Sequence, residues 1–209
     1  ALVKQLKKAK SNWSMCLYGP PGTGKSEFGR HIAEELGKLV LFKRASDLES
    51  MWVGETEKNI AKAFEEASKD EKVLIIDEGD SFLRGRSASN RSWENSKVNE
   101  VLSQMETHDQ PFIITTNLFE SLDPASLRRF TFKLHFDFLK PEMAAKLFEE
   151  YFGVAAPKAM LSQRHIAPGD FANIKKKATI LGIKKASELY DMLMDEVSVK
   201  PEARTKIGF

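Results

Sequence analysis

"GPPGTGKS", Gly19 to Ser26, follows the apolar run "SMCLY" (14–18) and precedes a stretch in which Phe28, Ile32 and Leu36 recur every four residues. A strand, a glycine-rich loop and a helix in that order are the context that the pattern G-x-x-x-x-G-K-[ST] requires. Gly22 and Gly24 let the backbone curl until successive N–H groups converge on phosphate oxygens. The helix beginning near Lys25 aims the positive end of its dipole at the same point. Lys25 supplies a mobile cation for β- and γ-phosphates, and the Ser26 hydroxyl is a ligand for Mg²⁺. The candidate nucleotide-binding set is Gly19, Pro20, Pro21, Gly22, Thr23, Gly24, Lys25, Ser26 and Glu27. A plain Gly/Pro-rich surface turn is the alternative, and it has no need of a Lys-Ser pair between strand and helix.

Outward from the loop, short apolar runs alternate with helical patterns. Strands are predicted at 14–18, "LVLFKR" (39–44), "KVLIID" (72–77), "PFIITT" (111–116) and "TFKLHF" (131–136). The unbroken apolar run Val73 to Ile76 fits a central strand covered on both faces. Apolar stripes at Ile60, Ala63, Phe64 and Ala67, and at Val98, Val101, Leu102 and Met105, predict crossover helices, and Gly37 is placed to end the helix after the loop. The expected fold is a three-layer α/β domain with a five-stranded parallel sheet. After "FLKPE" only helical patterns remain, with Pro141 at a first turn. The expected division is residues 1–137 as an α/β ATP-binding core and 138–209 as a small helical lid.

Composition narrows the function. In 209 residues, Lys and Arg number 32 against 30 Asp and Glu, a net charge of +2. Nucleic acid is therefore not an expected partner, although "KQLKKAK" and "IKKKA" are basic; both read as solvated helix faces. The single cysteine, Cys16, excludes an intrachain disulfide and a CxxC metal pair, and its apolar setting makes it a small core residue. His31, His108, His135 and His165 have no ligand spacing and are read as structural or surface residues. With no apolar segment of spanning length and no secretory signal, the expected location is cytoplasmic. The chain opens without Met and in mid-pattern, so it is expected to be part of a longer protein.

Three further stretches carry chemistry. "VLIIDEGD" (73–80) ends its apolar run on Asp77 and Glu78, at the sheet edge where α/β proteins bind ligands. Asp77 is placed to hold Mg²⁺ with Ser26, and Glu78 is a candidate base for an attacking water. Helix capping is the bland alternative for these acids. "IITTN" ends on Asn117, which either orients that water and touches the γ-phosphate or simply forms a turn. "SLRRF" sets Arg128 and Arg129 just before a strand. Paired guanidiniums seek carboxylates or phosphates, unless they only close the helix that Asp123 and Pro124 begin.

Together these motifs resemble an AAA+ ATPase, and within it the AAA clade of protein-remodelling enzymes, from about Cys16 to Phe138 and more loosely beyond. "LYGPPGTGKS" is similar to the Walker A of that P-loop NTPase family, "VLIIDEGD" to its Walker B, and "IITTN" to its sensor-1 strand. "LDPASLRRF" resembles the end of its second region of homology, and "MWVGETEKNI" its first pore loop. The resemblance implies ATP and Mg²⁺ as cofactors, Glu78 as base, Asn117 as sensor 1, and Arg128 and Arg129 as arginine fingers toward a neighbouring copy. It implies a homo-oligomer, with a hexameric ring expected, acting on a polypeptide gripped by Trp52 and Val53. Trp52 either lines a channel with Val53 or fills the core with Leu48 and Met51. "APGDFANIKKKA" resembles the start of the lid helix near Gly169; it has lysines and no arginine, so no sensor-2 residue is assigned. Gly79 stands where the family favours small residues such as Ala, a change expected to be harmless. A nucleic-acid motor or clamp-loader-like ATPase, and a nucleotide-dependent scaffold without turnover, are the competing functions. Near-neutral charge speaks against the first, and a complete set of Lys25, Ser26, Asp77, Glu78 and both arginines against the second.

Overall fold

The computed structural model describes residues 2–8, 12–83, 92–118, 122 and 124–201. Its chain divides into two compact units: Ala1–Gly19 with Lys25–His135, and Pro20–Gly24 with Phe136–Phe209. Asp123 lies outside the described residues.

The first unit holds a five-stranded parallel sheet in the order β2-β3-β4-β1-β5. The strands are β1 (Ser14–Tyr18), β2 (Val40–Arg44), β3 (Val73–Asp77), β4 (Phe112–Thr116) and β5 (Phe132–His135). Each expected strand is present, trimmed by a residue or two at its ends. β4 is buried at all five positions and β3 at its first four, as befits strands covered on both faces. β5 alternates between half-buried and exposed positions at the sheet margin.

Helices α1 (Leu2–Leu6), α2 (Lys25–Glu35), α3 (Ala45–Leu48), α4 (Glu55–Lys69), α5 (Ser92–Thr107) and α6 (Pro124–Arg128) complete this unit. The stripe Ile60, Ala63, Phe64 and Ala67 of α4 is buried, as are Val98, Val101 and Leu102 of α5. On α2 the apolar residues facing inward are Gly29, Ile32 and Ala33, while Phe28, and Leu36 just beyond the helix, are only half-buried. The reason is closeness: a Cβ on residue 29 would lie 3.2 Å from Cδ1 of Ile75, so the helix meets the sheet along its smallest residue. Cys16 is fully buried, and burial pushes its thiol up to about 12, leaving it inert. His108, just after α5, is buried edge-on to Phe64, with Nδ1 3.1 Å from the Ser68 hydroxyl.

The second unit packs α7 (Pro141–Phe152), α8 (Pro168–Leu181) and α9 (Ala186–Ser198) around Phe148, Met160, Phe171, Ile174, Leu189 and Leu193. Pro141 opens α7 at its first turn. The start of α8 is fixed from two sides. The Asp170 carboxylate accepts the Ala167 N–H at 2.7 Å and takes an ion pair from Lys200 Nζ at 2.6 Å. Asp170 is 6% exposed, so that pairing is what makes its burial tolerable. Lys175, Lys176 and Lys177 lie on the solvated face of α8. No helix among the described residues is long and apolar enough to cross a membrane.

Candidate functional site

Parallel strands bring their C-terminal ends to one edge, and the register aligns them: Tyr18 lies beside Thr116, and Leu17 beside Thr115. Residues that follow β1, β3 and β4 therefore meet there. Lys25 Nζ donates to the Gly19 carbonyl at 2.9 Å and to Asn117 Oδ1 at 2.7 Å. The Ser26 hydroxyl donates to Asp77 Oδ1 at 2.6 Å. Thus four residues that the sequence singled out separately, Lys25, Ser26, Asp77 and Asn117, share two side-chain hydrogen bonds.

Lys25 is 7% exposed. Burial pulls its ammonium below the usual lysine range, against the opposing attraction of Asp77 and Asp80. A cation held in this way gains from any anion brought to it. Glu78 is exposed and adopts a left-handed backbone, φ 56° and ψ 40°, a conformation that costs a non-glycine residue roughly 1–2 kcal/mol. Strain of this kind at the end of a central strand marks a position whose direction matters.

Three participants escaped the sequence reading. Thr115 donates to Asp77 Oδ1 at 2.5 Å and accepts the Glu78 N–H at 3.1 Å, so it orients both acids. Asp80 accepts the Thr116 hydroxyl and, at 3.2 Å, the Asn117 N–H, so it holds the turn that carries Asn117. The two consecutive threonines ending an apolar run were the available signal. Only the adjacency of β3 and β4 gives it meaning.

The loop Pro20–Gly24 belongs with the second unit. Gly19, Gly22 and Gly24 have φ of 139°, 74° and 92°, and the buried Thr23 closes the turn by donating to the Pro20 carbonyl at 2.8 Å. Pro21 is exposed, and the Glu27 carboxylate faces solvent beside Arg30 at 3.6 Å, leaving only its backbone for a ligand.

Two groups lie apart from the cluster. Arg128 ends α6 and Arg129 follows it ahead of β5, where the Ser14 hydroxyl donates to the Arg129 carbonyl at 3.2 Å. Ser14 starts β1 and Gly19 follows its end, so a strand length of about 16 Å runs between the Arg129 backbone and Gly19, and the arginines lie at the opposite sheet edge. Arg129 pairs with Glu106 at 2.9 Å, whereas Arg128 is exposed. Met51, Trp52 and Val53 are 91, 69 and 100% exposed, while Leu48 is buried; of the four, only Leu48 is core. Ser50 holds this turn, accepting the Trp52 N–H at 3.2 Å and donating to Glu55 at 2.5 Å.

A family model described as "ATPase family associated with various cellular activities (AAA)" matches residues 15–138, which contain Gly19–Glu27, Trp52, Val53, Asp77, Glu78, Asn117 and both arginines. The chain belongs to the AAA family of ATPases. It is 29% identical over 187 residues to vacuolar protein sorting-associated protein 4 of Dictyostelium discoideum, covering 87% of this chain and 40% of that protein. It is 32% identical over 144 residues to protein SUPPRESSOR OF K(+) TRANSPORT GROWTH DEFECT 1 of Arabidopsis thaliana, covering 66% of this chain and 33% of that one. This AAA chain thus spans well under half the length of these curated relatives. The α/β fold and the family expected from the motifs are both found.

Proposed function

We propose that the chain binds ATP along Gly19–Glu27, hydrolyses it with Glu78 as general base, and uses the cycle to remodel polypeptides within a ring of copies. The observation that carries this reading is the pair of side-chain hydrogen bonds, Lys25 to Asn117 and Ser26 to Asp77, at the C-terminal sheet edge. Lys25 exchanges its carbonyl and amide partners for phosphate oxygens, and the arriving polyanion offsets the burial of its charge. Asn117, released from Lys25, is free to hold the attacking water or the γ-phosphate. Glu78, exposed and aimed by its strained backbone, accepts the water's proton.

The Ser26 hydroxyl and Asp77 carboxylate, 2.6 Å apart, are hard oxygen donors of the kind that Mg²⁺ takes together with phosphate and water. Ser26 and Asp77 would hold Mg²⁺ there, and the ion would supply charge neutralisation to the nucleotide's phosphates. Among the described residues no group of three or more His, Cys, Asp or Glu is gathered for a metal, which favours an ion shared with the nucleotide over a cage made by protein alone.

Arg128 and Arg129, at the sheet edge opposite Lys25, serve the nucleotide of a neighbouring copy, which makes the active unit an oligomer; six copies are the expected number. The exposed Trp52 and Val53 offer apolar contact to a polypeptide without reading its sequence. The name of the Dictyostelium relative, which concerns protein sorting, fits that cargo. The division of labour follows residues 1–137 as core and 138–209 as lid, in a protein acting in the cytoplasm.

Binding and turnover separate this reading from a scaffold. Lys25→Ala is expected to abolish ATP binding in calorimetry. Glu78→Gln is expected to bind ATP and retain it, with turnover reduced by a factor on the order of 10²–10⁴. Wild-type turnover in Glu78→Gln would assign the base elsewhere. Stimulation by nucleic acid instead of by unfolded protein would replace the polypeptide substrate.

A further inference from the structure

The loop Pro20–Gly24 and the start of α8 meet backbone to backbone. The Gly169 N–H donates to the Gly22 carbonyl at 2.9 Å, and a Cβ on residue 169 would lie 3.1 Å from both Cα and O of Gly22. From the other side, a Cβ on Gly22 would lie 3.6 Å from Cβ of Ala167. Residue 169 has too little room for a side chain against the Gly22 backbone, whereas at residue 22 the space is ordinary and it is the positive φ of 74° that favours glycine.

We propose that Gly169 is a positioning residue for the phosphate loop. A trans peptide points its C=O and the following N–H in opposite directions. Tethering the Gly22 carbonyl to α8 therefore turns the Thr23 N–H away from α8 and fixes the rotation of that peptide plane. Gly22, at φ 74°, is otherwise free to rotate, and the Thr23 hydroxyl bond to Pro20 restrains only the other end of the turn. The anchor itself is rigid: α8 starts where Asp170 holds the Ala167 N–H and Lys200 neutralises Asp170. Residue 169 thus governs whether the loop presents its N–H groups as a set, although it offers no side chain to any ligand.

This inference rests on the reading of Gly19–Ser26 as a nucleotide loop, and Gly169→Ala tests it. Alanine is the better helix former, and that gain offsets the loss of one loop hydrogen bond of similar size, so the variant's melting temperature without nucleotide should be about unchanged. Its ADP affinity in magnesium, by calorimetry, should fall about tenfold, because the methyl group pushes the loop off its hydrogen bond. A loss of affinity without a loss of stability is what a residue with a merely structural role cannot produce. ADP affinity equal to wild type would overturn the inference, and so would a weaker affinity accompanied by a lower melting temperature. Wild-type protein that binds no ADP, with Lys25→Ala behaving identically, would overturn the nucleotide reading itself and this inference with it.

Discussion

A Cβ built on Gly79 would sit 2.3 Å from Cδ1 and 2.5 Å from Cγ1 of Ile114. Glycine there read as a harmless exchange for alanine, since both are small. In the folded sheet it is a requirement, because Ile114 of β4 is fully buried and reaches across to the turn after β3. Gly79→Ala should therefore lower stability by about 1–3 kcal/mol, the usual cost of one methyl too many in a packed core. The urea midpoint would report it at constant slope. Ile114→Val removes Cδ1, so the double variant should lose less than the two single losses combined. Strict additivity would mean that Ile114 swings aside freely. Glu78, with its left-handed backbone, immediately precedes this tightly packed residue.

Between elements, α4 and α5 are joined at their bases through His108. Its ring packs on Phe64 of α4, and Nδ1 meets the Ser68 hydroxyl, which itself donates to Asp109 at 2.7 Å. Nε2 is buried without a hydrogen-bond partner among the described residues. Burial holds the imidazole below its usual value of 6.5, and only Asp109 pulls the other way. The sign follows from linkage. Below 6.5 the unfolded chain takes up a proton that the folded chain refuses, so stability is full above that pH and falls as pH drops toward the folded value. Thermal melts between pH 7.5 and 5 should show this decline, and His108→Asn, which keeps a polar partner for Ser68, should flatten it. An unchanged pH slope in the variant would shift the effect to other groups. The stripes of α4 and α5 were legible from their periodicity. The role of His108 was not, because its partners lie 40 and 44 residues earlier in the chain.

For the whole molecule, the distance between Arg129 and Lys25 sets the sharpest test. One five-residue strand, roughly 16 Å long, runs between the backbone at Arg129 and that at Gly19, which sets the arginine away from its own chain's Lys25. If the arginines complete a neighbour's site, Arg129→Ala should bind ATP normally and hydrolyse it on the order of 10³–10⁵ times more slowly. Mixing Arg129→Ala with Glu78→Gln should restore part of the activity, because some interfaces then hold an intact Glu78 and an intact arginine on separate chains. No recovery in oligomers shown to be mixed would leave the arginines as helix-end residues. The Glu106 pair is no obstacle to this role: both partners are substantially exposed, and such a bridge is worth at most about 1 kcal/mol.

The sequence by itself determined the five strands, the loop between β1 and α2, and the acids at the end of β3. Each is a local signal: apolar runs of strand length, glycines where the backbone must curl, and charged residues where an apolar run stops. Tertiary structure alone decided how those pieces work together. Thr115 binds Asp77 across 38 residues because β4 lies beside β3. Gly79 answers to Ile114, and Gly22 to Gly169, through contacts set by distances of about 3 Å or less that no periodicity encodes. Trp52 and Leu48 share one apolar pattern yet part company, one exposed and one buried, because the turn held by Ser50 intervenes. Local chemistry is written in neighbouring residues, whereas partnership depends on which distant backbone arrives alongside.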